Sequence, residues 1–361
     1  MARRPLDSIQ ALRGLAALLV VLYHLAVLEE SYGASPTWLL QPFRWFGAQG
    51  VDLFFVISGF VLTWSRWESF GRPASVPSFL VRRLLRIYPL YWAAFAFAFV
   101  SVRLGLNHAL DGAEDPLNMI GIVLLLPLRC THLVPVSWTL AFEVFFYVVF
   151  AVALALERRR LPIFLAAWGA LVVAANVLAP VGEGSPDLPG RLSYVVLGLQ
   201  TTQFILGCVI AIVLARVRPS RPDMFLAVGA VLWALGGARV AWLERAQHLE
   251  ELWLPHLVVI FGLGAGAIVL GAVARELRGQ GYVPRTLVKL GDASYSVYLV
   301  HLFAFAILRR VLGAVNRPEL WAHGLWLVLL AVGGIAAGVV VHRLVERPLM
   351  RAVTRRSRSL R

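Results

Sequence analysis

Charged residues are scarce in this chain, where they make up 15% of the 361 residues. In soluble globular domains about a quarter of the residues are charged, so the composition does not fit that class. Hydrophobic residues reach 59%, and apolar runs of about twenty residues, the length that crosses a bilayer, recur along the chain. The sequence therefore predicts an all-α polytopic membrane protein.

Cysteine is also scarce, and acidic residues are fewer than basic ones. The two cysteines, Cys130 and Cys208, have neither the spacing of a zinc site nor that of a disulfide framework, so we expect no metal. The net charge is +14, but the arginines occur in short clusters between apolar runs. This pattern sets membrane topology and is not typical of a nucleic-acid-binding surface. We therefore expect the lipid bilayer, and no nucleic acid, as a partner.

Ten apolar segments are long enough to be predicted as transmembrane helices. They are residues 8–28, 46–64, 84–103, 138–156, 161–180, 193–215, 223–243, 255–274, 293–313 and 320–343. With the N-terminus inside, the cytoplasmic segments hold 25 of the 34 Lys and Arg residues and the outer segments hold 8. This bias predicts that both termini are cytoplasmic. Residues 1–344 form the predicted membrane domain, and residues 345–361 form a basic cytoplasmic tail.

The longest segment between predicted spans is 104–137, on the predicted outer side. Within it, residues 117–128 are apolar but too few to cross a bilayer, so they are predicted to form a re-entrant or interfacial helix. Long loops on a rigid frame often carry function. We therefore expect this stretch to take part in acceptor binding.

The first apolar segment contains two residues that a plain membrane anchor would avoid, Arg13 and His24. They are eleven residues apart, which on an α-helix corresponds to about 16 Å along the axis and nearly the same face. Ionisable residues inside a spanning helix mark a site or a pathway by default. The alternative is that Arg13 snorkels to the headgroups and His24 lies at the opposite interface. A signal peptide is a poorer interpretation, because Arg13 interrupts the apolar stretch.

Two carboxylates are predicted to lie at the same depth as His24, in the outer half of the membrane. Asp52 opens the second span, in GVDLFFVISGF, and Glu143 lies in the fourth, in SWTLAFEVFFY. A histidine oriented by a carboxylate is the usual general base for activating a hydroxyl. Ser58 and Gly59 lie near the middle of the second span, where small residues also permit close helix packing.

A cluster of three arginines, Arg82, Arg83 and Arg86, lies at the predicted inner mouth of the third span. The planar guanidinium fork binds phosphate in a bidentate manner, which predicts a nucleotide or phosphate site. Ordinary topology signalling is the alternative explanation. In the ninth span Tyr295, Tyr298 and His301 recur at spacings of three, along one helical stripe. Such a stripe is typical of helix packing, but His301 could equally line a cavity.

Taken in order, these stretches resemble the integral-membrane acyltransferase family 3, the bacterial O-acyltransferases that modify O-antigens, peptidoglycan, nodulation factors and macrolides. The resemblance covers essentially the whole chain. It rests on motifs that are individually weak but specific in their joint order. They are the pair Arg13 and His24, FFxxSG at 54–59, RxxR at 83–86, SWTLAFEVFFY with Glu143, SYSVYLVH with His301, and Glu346-Arg347-Pro348.

The resemblance implies a multi-pass enzyme of the bacterial cytoplasmic membrane that binds no cofactor. Acyl-coenzyme A, chiefly acetyl-coenzyme A, would be the cytoplasmic donor, and a hydroxyl of a carbohydrate or cell-envelope glycan would be the acceptor. His24, held by Glu143 or Asp52, would act as general base. The expected site contains the catalytic residues His24, Glu143 and Asp52, the donor-binding residues Arg13, Arg82, Arg83 and Arg86, and the pocket-lining residues Ser58, Tyr298 and His301.

Three alternatives stay open at this stage. Within the enzyme class, the acceptor could be a macrolide-type metabolite, or the acyl group could pass through a transient carrier on the protein. In a different class, buried Arg, His, Asp and Glu also build the proton relays of transporters and exporters. Against a transporter, the chain shows no pair of homologous halves and no matching pair of Gly/Pro-broken helices.

Overall fold

The computed structural model of the chain describes residues 5–30, 40–104, 116–126, 133–178, 192–246, 254–314 and 323–352. Every regular element within these ranges is helical. The α-helices are α1 (Asp7–Glu30), α2 (Gln41–Phe46), α3 (Gly50–Ser65), α4 (Val76–Arg103), α5 (Pro116–Leu124), α6 (Trp138–Ala155), α7 (Leu161–Leu178), α8 (Leu192–Leu197), α9 (Gln200–Arg216), α10 (Pro222–Arg245), α11 (Pro255–Leu277), α12 (Arg285–Asp292), α13 (Ser294–Ala314) and α14 (His323–Val341). A π-helical turn, His342–Glu346, follows α14.

The apolar helices confirm the predicted class of a multi-pass, all-α membrane protein. Among the described residues, eight helices are long and apolar enough to cross a membrane, or nine if α12 and α13 count as one bent span. The remaining predicted span, 46–64, is α3, which has 16 residues. It is shorter than predicted because the chain turns before it, with the Gly50 amide donating to the Gly47 carbonyl at 3.1 Å. The cytoplasmic location of both termini stays a prediction.

The predicted span at 293–313 is preceded by a separate short helix. α12 and α13 meet at Ala293 with a bend of 73°. Gly291, near the end of α12, lies against α1 so closely that a Cβ at this position would be 1.8 Å from the Gln10 carbonyl oxygen. The absence of a side chain at Gly291 therefore allows α12 to lie against α1.

The chain divides into two compact units. Unit A comprises Met1–Leu6, Asp52–Leu232 and Glu251–Gly281, and unit B comprises Asp7–Val51, Trp233–Glu250 and Tyr282–Arg361. In unit A, α3 and α9 approach closely through two glycines. A Cβ on Gly59 would lie 2.0 Å from the Phe204 carbonyl oxygen, and one on Gly207 would lie 2.0 Å from that of Val56. This contact supports the packing interpretation of the small residues at 58–59.

The core of unit B is built by α1, α12, α13 and α14, with α1 in contact with each of the other three helices. α13 and α14 lie close together at Gly338, where a Cβ would be 2.4 Å from the Cα of Val297. Because α1 carries Arg13 and His24 while α13 carries His301, this packing brings the predicted histidines into one unit.

The predicted short helix is α5, which has nine residues and belongs to unit A. Three aromatic side chains of α4 donate to the carbonyls at its end. Tyr91 bonds the Ile122 oxygen at 2.5 Å, Trp92 that of Val123 at 3.0 Å, and Tyr88 that of Leu124 at 2.7 Å. These bonds satisfy the carbonyls that a helix end leaves unpaired. The rest of the stretch 104–137 lies partly outside the described residues.

Candidate active site

Two histidine rings of unit B are in direct contact. Nε2 of His301 lies 3.2 Å from Nδ1 of His24, and the ring centroids are 5.0 Å apart. Nδ1 of His24 is also 2.9 Å from the carbonyl oxygen of Val20, one turn earlier on α1. Nδ1 of His301 is 2.8 Å from the Tyr298 carbonyl oxygen and 3.1 Å from that of Val297. The two rings are thus joined to each other and to backbone acceptors.

The backbone carbonyls determine which ring nitrogens carry protons. A carbonyl oxygen only accepts hydrogen bonds, so the Nδ1 atoms of both His24 and His301 must be protonated. In a neutral ring the other nitrogen then has a free lone pair. The Nδ1–H of His24 is shared between the Val20 oxygen and Nε2 of His301, and Nε2 of His24 is left as the basic atom.

The histidine pair has aromatic neighbours. The ring of Tyr23 meets that of His24 edge-on at 5.1 Å, and the ring of Phe305 meets that of His301 edge-on at 5.7 Å. The Tyr298 ring lies 6.3 Å from that of His301. His301 has no exposed surface, and Tyr298 is 6% exposed. In the structure, therefore, these two predicted pocket residues are buried in the packing of unit B.

Arg13 lies on the same continuous helix as His24. Its guanidinium Nη1 donates to Oε1 of Gln10 at 3.1 Å, and its side chain is half-buried. The helix is continuous between the two residues, because α1 extends from Asp7 to Glu30. The predicted axial separation of the two residues is therefore retained.

A second cluster of unit B joins α13 to the turn after α14. The Glu346 carboxylate oxygen Oε2 accepts from the Ser296 hydroxyl at 2.6 Å and lies 2.8 Å from Nδ1 of His342. Ser296 is fully buried and Glu346 is 8% exposed. Glu346 therefore links two helices, a role that the closing motif of the sequence did not indicate.

A third cluster of unit B is an ion-pair and hydrogen-bond network that the sequence did not indicate. The Arg44 guanidinium Nε lies 3.0 Å from a Glu30 carboxylate oxygen and 3.8 Å from one of Glu244. The Trp45 indole donates to the other Glu244 oxygen at 2.7 Å. Trp45 and Glu244 are 199 positions apart, so no local pattern in the sequence could have paired them.

In unit A, the predicted catalytic residue Asp52 has a neutral partner. The Gln203 side-chain amide donates both to the Asp52 carboxylate and, at 3.3 Å, to the Val258 carbonyl. Asp52 has no exposed surface and Gln203 is 1% exposed. A carboxylate at this depth needs such a donor, but the sequence alone did not identify Gln203. Ser58, on the same helix, is half-buried.

Glu143, Tyr147 and Arg83 form the charged cluster of unit A. The Tyr147 hydroxyl donates to the Glu143 carboxylate, one turn earlier on α6. The guanidinium carbon of Arg83 lies 5.8 Å from the Tyr147 ring centroid and 5.9 Å from that of Phe79. Glu143 and Arg86 are both near enough to Arg83 to interact with it electrostatically. The structure thus brings the predicted Glu143 near Arg83, with Arg86 near the same guanidinium group.

The third arginine, Arg82, is directed elsewhere. Its Nη2 atom donates to the Ser78 hydroxyl at 2.8 Å, one turn earlier on α4. Arg82 and Arg83 are adjacent in sequence and therefore project from different faces of the helix. The predicted cluster is therefore not a single fork of three guanidinium groups.

Unit A also contains a cavity of about 680 Å³ that the sequence did not indicate. Its lining includes the Trp64 indole, Arg216, Arg218 and Glu276. Arg218 donates to the Leu277 carbonyl at the end of α11. On the predicted topology, this cavity would open on the cytoplasmic side.

Comparison with known proteins identifies a family. Residues 6–343 match the family described as an acyltransferase domain. The exopolysaccharide production protein ExoZ of Rhizobium meliloti is 32% identical over 84% of this chain and 90% of that protein. The acyltransferase MdmB of Streptomyces mycarofaciens is 28% identical over 97% of this chain and 93% of that protein. Nodulation protein 10 of Rhizobium leguminosarum bv. viciae is 26% identical over 86% and 84%, respectively. No solved structure matches the chain.

Proposed function

Because the chain belongs to acyltransferase family 3, as the match over residues 6–343 shows, we propose that it is an O-acyltransferase of the bacterial cytoplasmic membrane. It transfers an acyl group, chiefly acetyl, from cytoplasmic acyl-coenzyme A to a hydroxyl of a carbohydrate or cell-envelope glycan. The match is to an acyltransferase family, and this removes the transporter alternative. The relatives above are bacterial proteins, which supports a bacterial location, and the long apolar helices support a location in the membrane.

The observation that carries this proposal is the bonding of His24. Its Nδ1–H is 2.9 Å from the Val20 oxygen and 3.2 Å from His301 Nε2, so Nε2 carries the lone pair. A general base needs such a nitrogen within reach of the proton that it removes. The same ring would supply a proton at the end of the reaction, since a protonated imidazole is also a good general acid.

The reaction then runs in two proton-coupled steps. In the first, the acceptor hydroxyl loses its proton to His24 Nε2 while its oxygen attacks the thioester carbonyl carbon. In the second, the carbon–sulfur bond breaks, and the coenzyme A thiolate takes the proton from His24. One oxygen ester forms, one thioester is broken, and no proton is gained or lost overall. The prediction that Glu143 or Asp52 holds the His24 ring stays a prediction.

We propose that the arginines of α4 bind the donor. Arginine binds phosphate in a bidentate manner, and coenzyme A carries several phosphate groups. Arg83 and Arg86 lie near Glu143 and Tyr147 in unit A, so the donor would approach that cluster. The roles of Arg82 and Arg13 in donor binding, and of Ser58, Tyr298 and His301 in lining a pocket, stay predictions.

The acceptor is assigned from the relatives. The description of ExoZ names exopolysaccharide production, which favours a carbohydrate hydroxyl for this chain. A macrolide-type metabolite is the second acceptor to test, since the resemblance of the motifs extends to enzymes that modify macrolides.

The test is release of free coenzyme A from acetyl-coenzyme A by membranes that contain the protein. The assay is run with crude envelope glycan, with a culture extract and with neither, and the products are identified by mass spectrometry. We expect release that depends on the acceptor and is lost in His24→Ala. A matched control is His256→Ala, which removes an exposed imidazole at the start of α11 and should leave release unchanged. Equal activity of His24→Ala and the parent protein would remove His24 from the mechanism.

A further inference from the structure

His301 is a fully buried polar residue of α13 that makes contact with the proposed general base. Its ring has no exposed surface, and its Nε2 atom lies 3.2 Å from Nδ1 of His24. His301 and His24 are 277 positions apart, so the fold, and not the local sequence, creates the contact. Because this buried imidazole contacts the proposed general base, we expect it to have a role in the reaction beyond packing.

The hydrogen bonds of His301 indicate that its Nε2 atom is an acceptor in the neutral ring. Nδ1 of His301 faces two carbonyl oxygens, those of Tyr298 at 2.8 Å and Val297 at 3.1 Å. Both oxygens are acceptors, so Nδ1 carries the proton and Nε2 of the neutral ring carries a lone pair. That lone pair faces the Nδ1–H of His24. His301 is thus an acceptor held in place by its own backbone.

We propose that His301 is the positioning residue of the reaction, the group that shares the Nδ1–H of His24 with the Val20 carbonyl and stabilises the His24 ring when its Nε2 atom takes up a proton. This inference rests on the proposed function. It assigns to a neutral imidazole the part that a buried carboxylate plays beside the histidine of serine hydrolases. As in that arrangement, the supporting group orients the base and stabilises its protonated form without itself taking the proton.

The contact becomes stronger during the reaction. When His24 Nε2 accepts the proton of the hydroxyl, the His24 ring becomes positively charged, and its Nδ1–H becomes a charged donor. Hydrogen bonds from charged donors are about twice as strong as neutral ones. The stabilisation is therefore larger in the transition state than in the resting enzyme, which is the condition for raising kcat.

A neutral acceptor suits the location of the pair. A carboxylate buried among apolar helices carries a large desolvation cost throughout the catalytic cycle. An imidazole pair is uncharged at rest and carries charge only while His24 is protonated. This gives a physical reason for placing a second histidine beside the first.

The ring of His301 is held in one orientation, which a residue that positions another side chain requires. Its two backbone acceptors fix the ring orientation, and the Phe305 ring meets it edge-on at 5.7 Å. Phe305 in turn is packed against α14, where a Cβ on Gly334 would lie 2.7 Å from Cε1 of Phe305. A change at Phe305 therefore alters the packing of His301 without removing its Nε2 atom.

The experiment compares three variants with the parent protein in the coenzyme A release assay. His301→Leu removes the acceptor and keeps an apolar side chain. His301→Gln restores an acceptor oxygen at about the position of Nε2. Phe305→Leu is the packing control. We expect His301→Leu to lower kcat about 10- to 100-fold with little change in either KM, as loss of a charged hydrogen bond implies. His301→Gln should recover a large part of kcat, and Phe305→Leu should retain more than half.

Two results would overturn the proposal. One is a His301→Leu enzyme whose kcat equals that of the parent. The other is equal loss in His301→Leu and His301→Gln, because an acceptor role requires the oxygen to rescue activity. Thermal unfolding of each variant in detergent is measured in parallel, and a loss of kcat that merely follows the loss of folded protein also counts against it. If the parent protein releases no coenzyme A with any acceptor, the proposed function fails; if release occurs and His301→Leu keeps the kcat of the parent, only this inference fails.

The protonation of His24 supplies an independent readout. In protein labelled with 15N-histidine, the nitrogen shifts distinguish a protonated Nδ1 from a protonated Nε2, and the His24→Ala spectrum assigns the signal. We expect a protonated Nδ1 in the parent protein and in His301→Gln. A His24 signal with protonated Nε2 in the parent protein would contradict the assignment.

Discussion

The two units of the chain accommodate polar groups at membrane depth in different ways. In unit B, His24 and His301 form a neutral pair whose protons are directed by backbone carbonyls. In unit A, Glu143 and Arg83 gather around the Tyr147 hydroxyl and ring and interact through charge. Both arrangements satisfy groups that would be costly if left unpaired in an apolar setting.

The difference indicates different roles. The neutral histidine pair keeps the lone pair of one ring nitrogen available, and it is stabilised further only when that nitrogen takes up a proton. Its effect is therefore on the rate of the reaction. A charged cluster is stabilised at all times, so its effect falls on folding and on the binding of another charged group. Substitutions in the neutral pair should therefore change mainly the reaction rate, and substitutions in the charged cluster should change mainly stability and the binding of charged groups.

The largest effect is expected where both members of the neutral pair are removed. His24→Ala/His301→Leu should lose about 10²- to 10⁴-fold in kcat, the range of general base catalysis. It should be no slower than His24→Ala alone, because residues that act as a unit are not additive. The measurement is a double-mutant cycle on initial rates of coenzyme A release. Strict additivity would mean that the two rings act independently.

The charged cluster should respond chiefly in stability. Glu143→Gln keeps an acceptor for the Tyr147 hydroxyl but removes the negative charge near Arg83. We expect the free energy of unfolding to fall by about 1–3 kcal/mol, as for a polar group left incompletely paired. Reversible unfolding in detergent measures this, and adding Arg83→Met should recover part of the loss. A kcat loss much larger than the loss of folded enzyme would instead support the predicted catalytic role of Glu143.

A smaller effect is expected at the donor-binding arginines. Arg82→Gln/Arg86→Gln should raise the KM for acetyl-coenzyme A at least about tenfold, since the loss of a single charged contact is already of this order. The matched variant is Arg216→Gln/Arg218→Gln, which removes the same charge beside the cavity of unit A. If the matched variant alone raises this KM, the donor binds in that cavity and the arginines of α4 serve topology.

Several residues of the site could be predicted because they are ionisable and lie in segments that are otherwise apolar. His24, Asp52 and Glu143 stand out in apolar segments where ionisable residues are expensive. The apolar lengths predicted the long apolar helices but not the short helices α2, α8 and α12. The helix of unit B that carries Arg13 and His24 begins and ends close to the predicted bounds. α3 is shorter than predicted, because hydropathy does not register the turn at Gly47–Gly50.

The partners of those residues could not be predicted in the same way. Gln203 is an ordinary residue of an apolar helix, and nothing in its local sequence marks it as the partner of Asp52. Nor does any local pattern place Glu346 beside Ser296, or Trp45 beside Glu244. Each pair is created by helix packing, which depends on shape at positions such as Gly59 and Gly291.

The sequence by itself determined the helical class, the multi-pass character and the residues able to do chemistry, because apolar length and misplaced charge are properties of single segments. Only the tertiary structure decided that His24 meets His301, and that the lone pair of His301 Nε2 faces the Nδ1–H of His24. That outcome depends on the contact between α1 and α13 and on two backbone carbonyls of α13. Hydrogen-bond direction is a property of the assembled atoms, and the order of residues along the chain does not contain it.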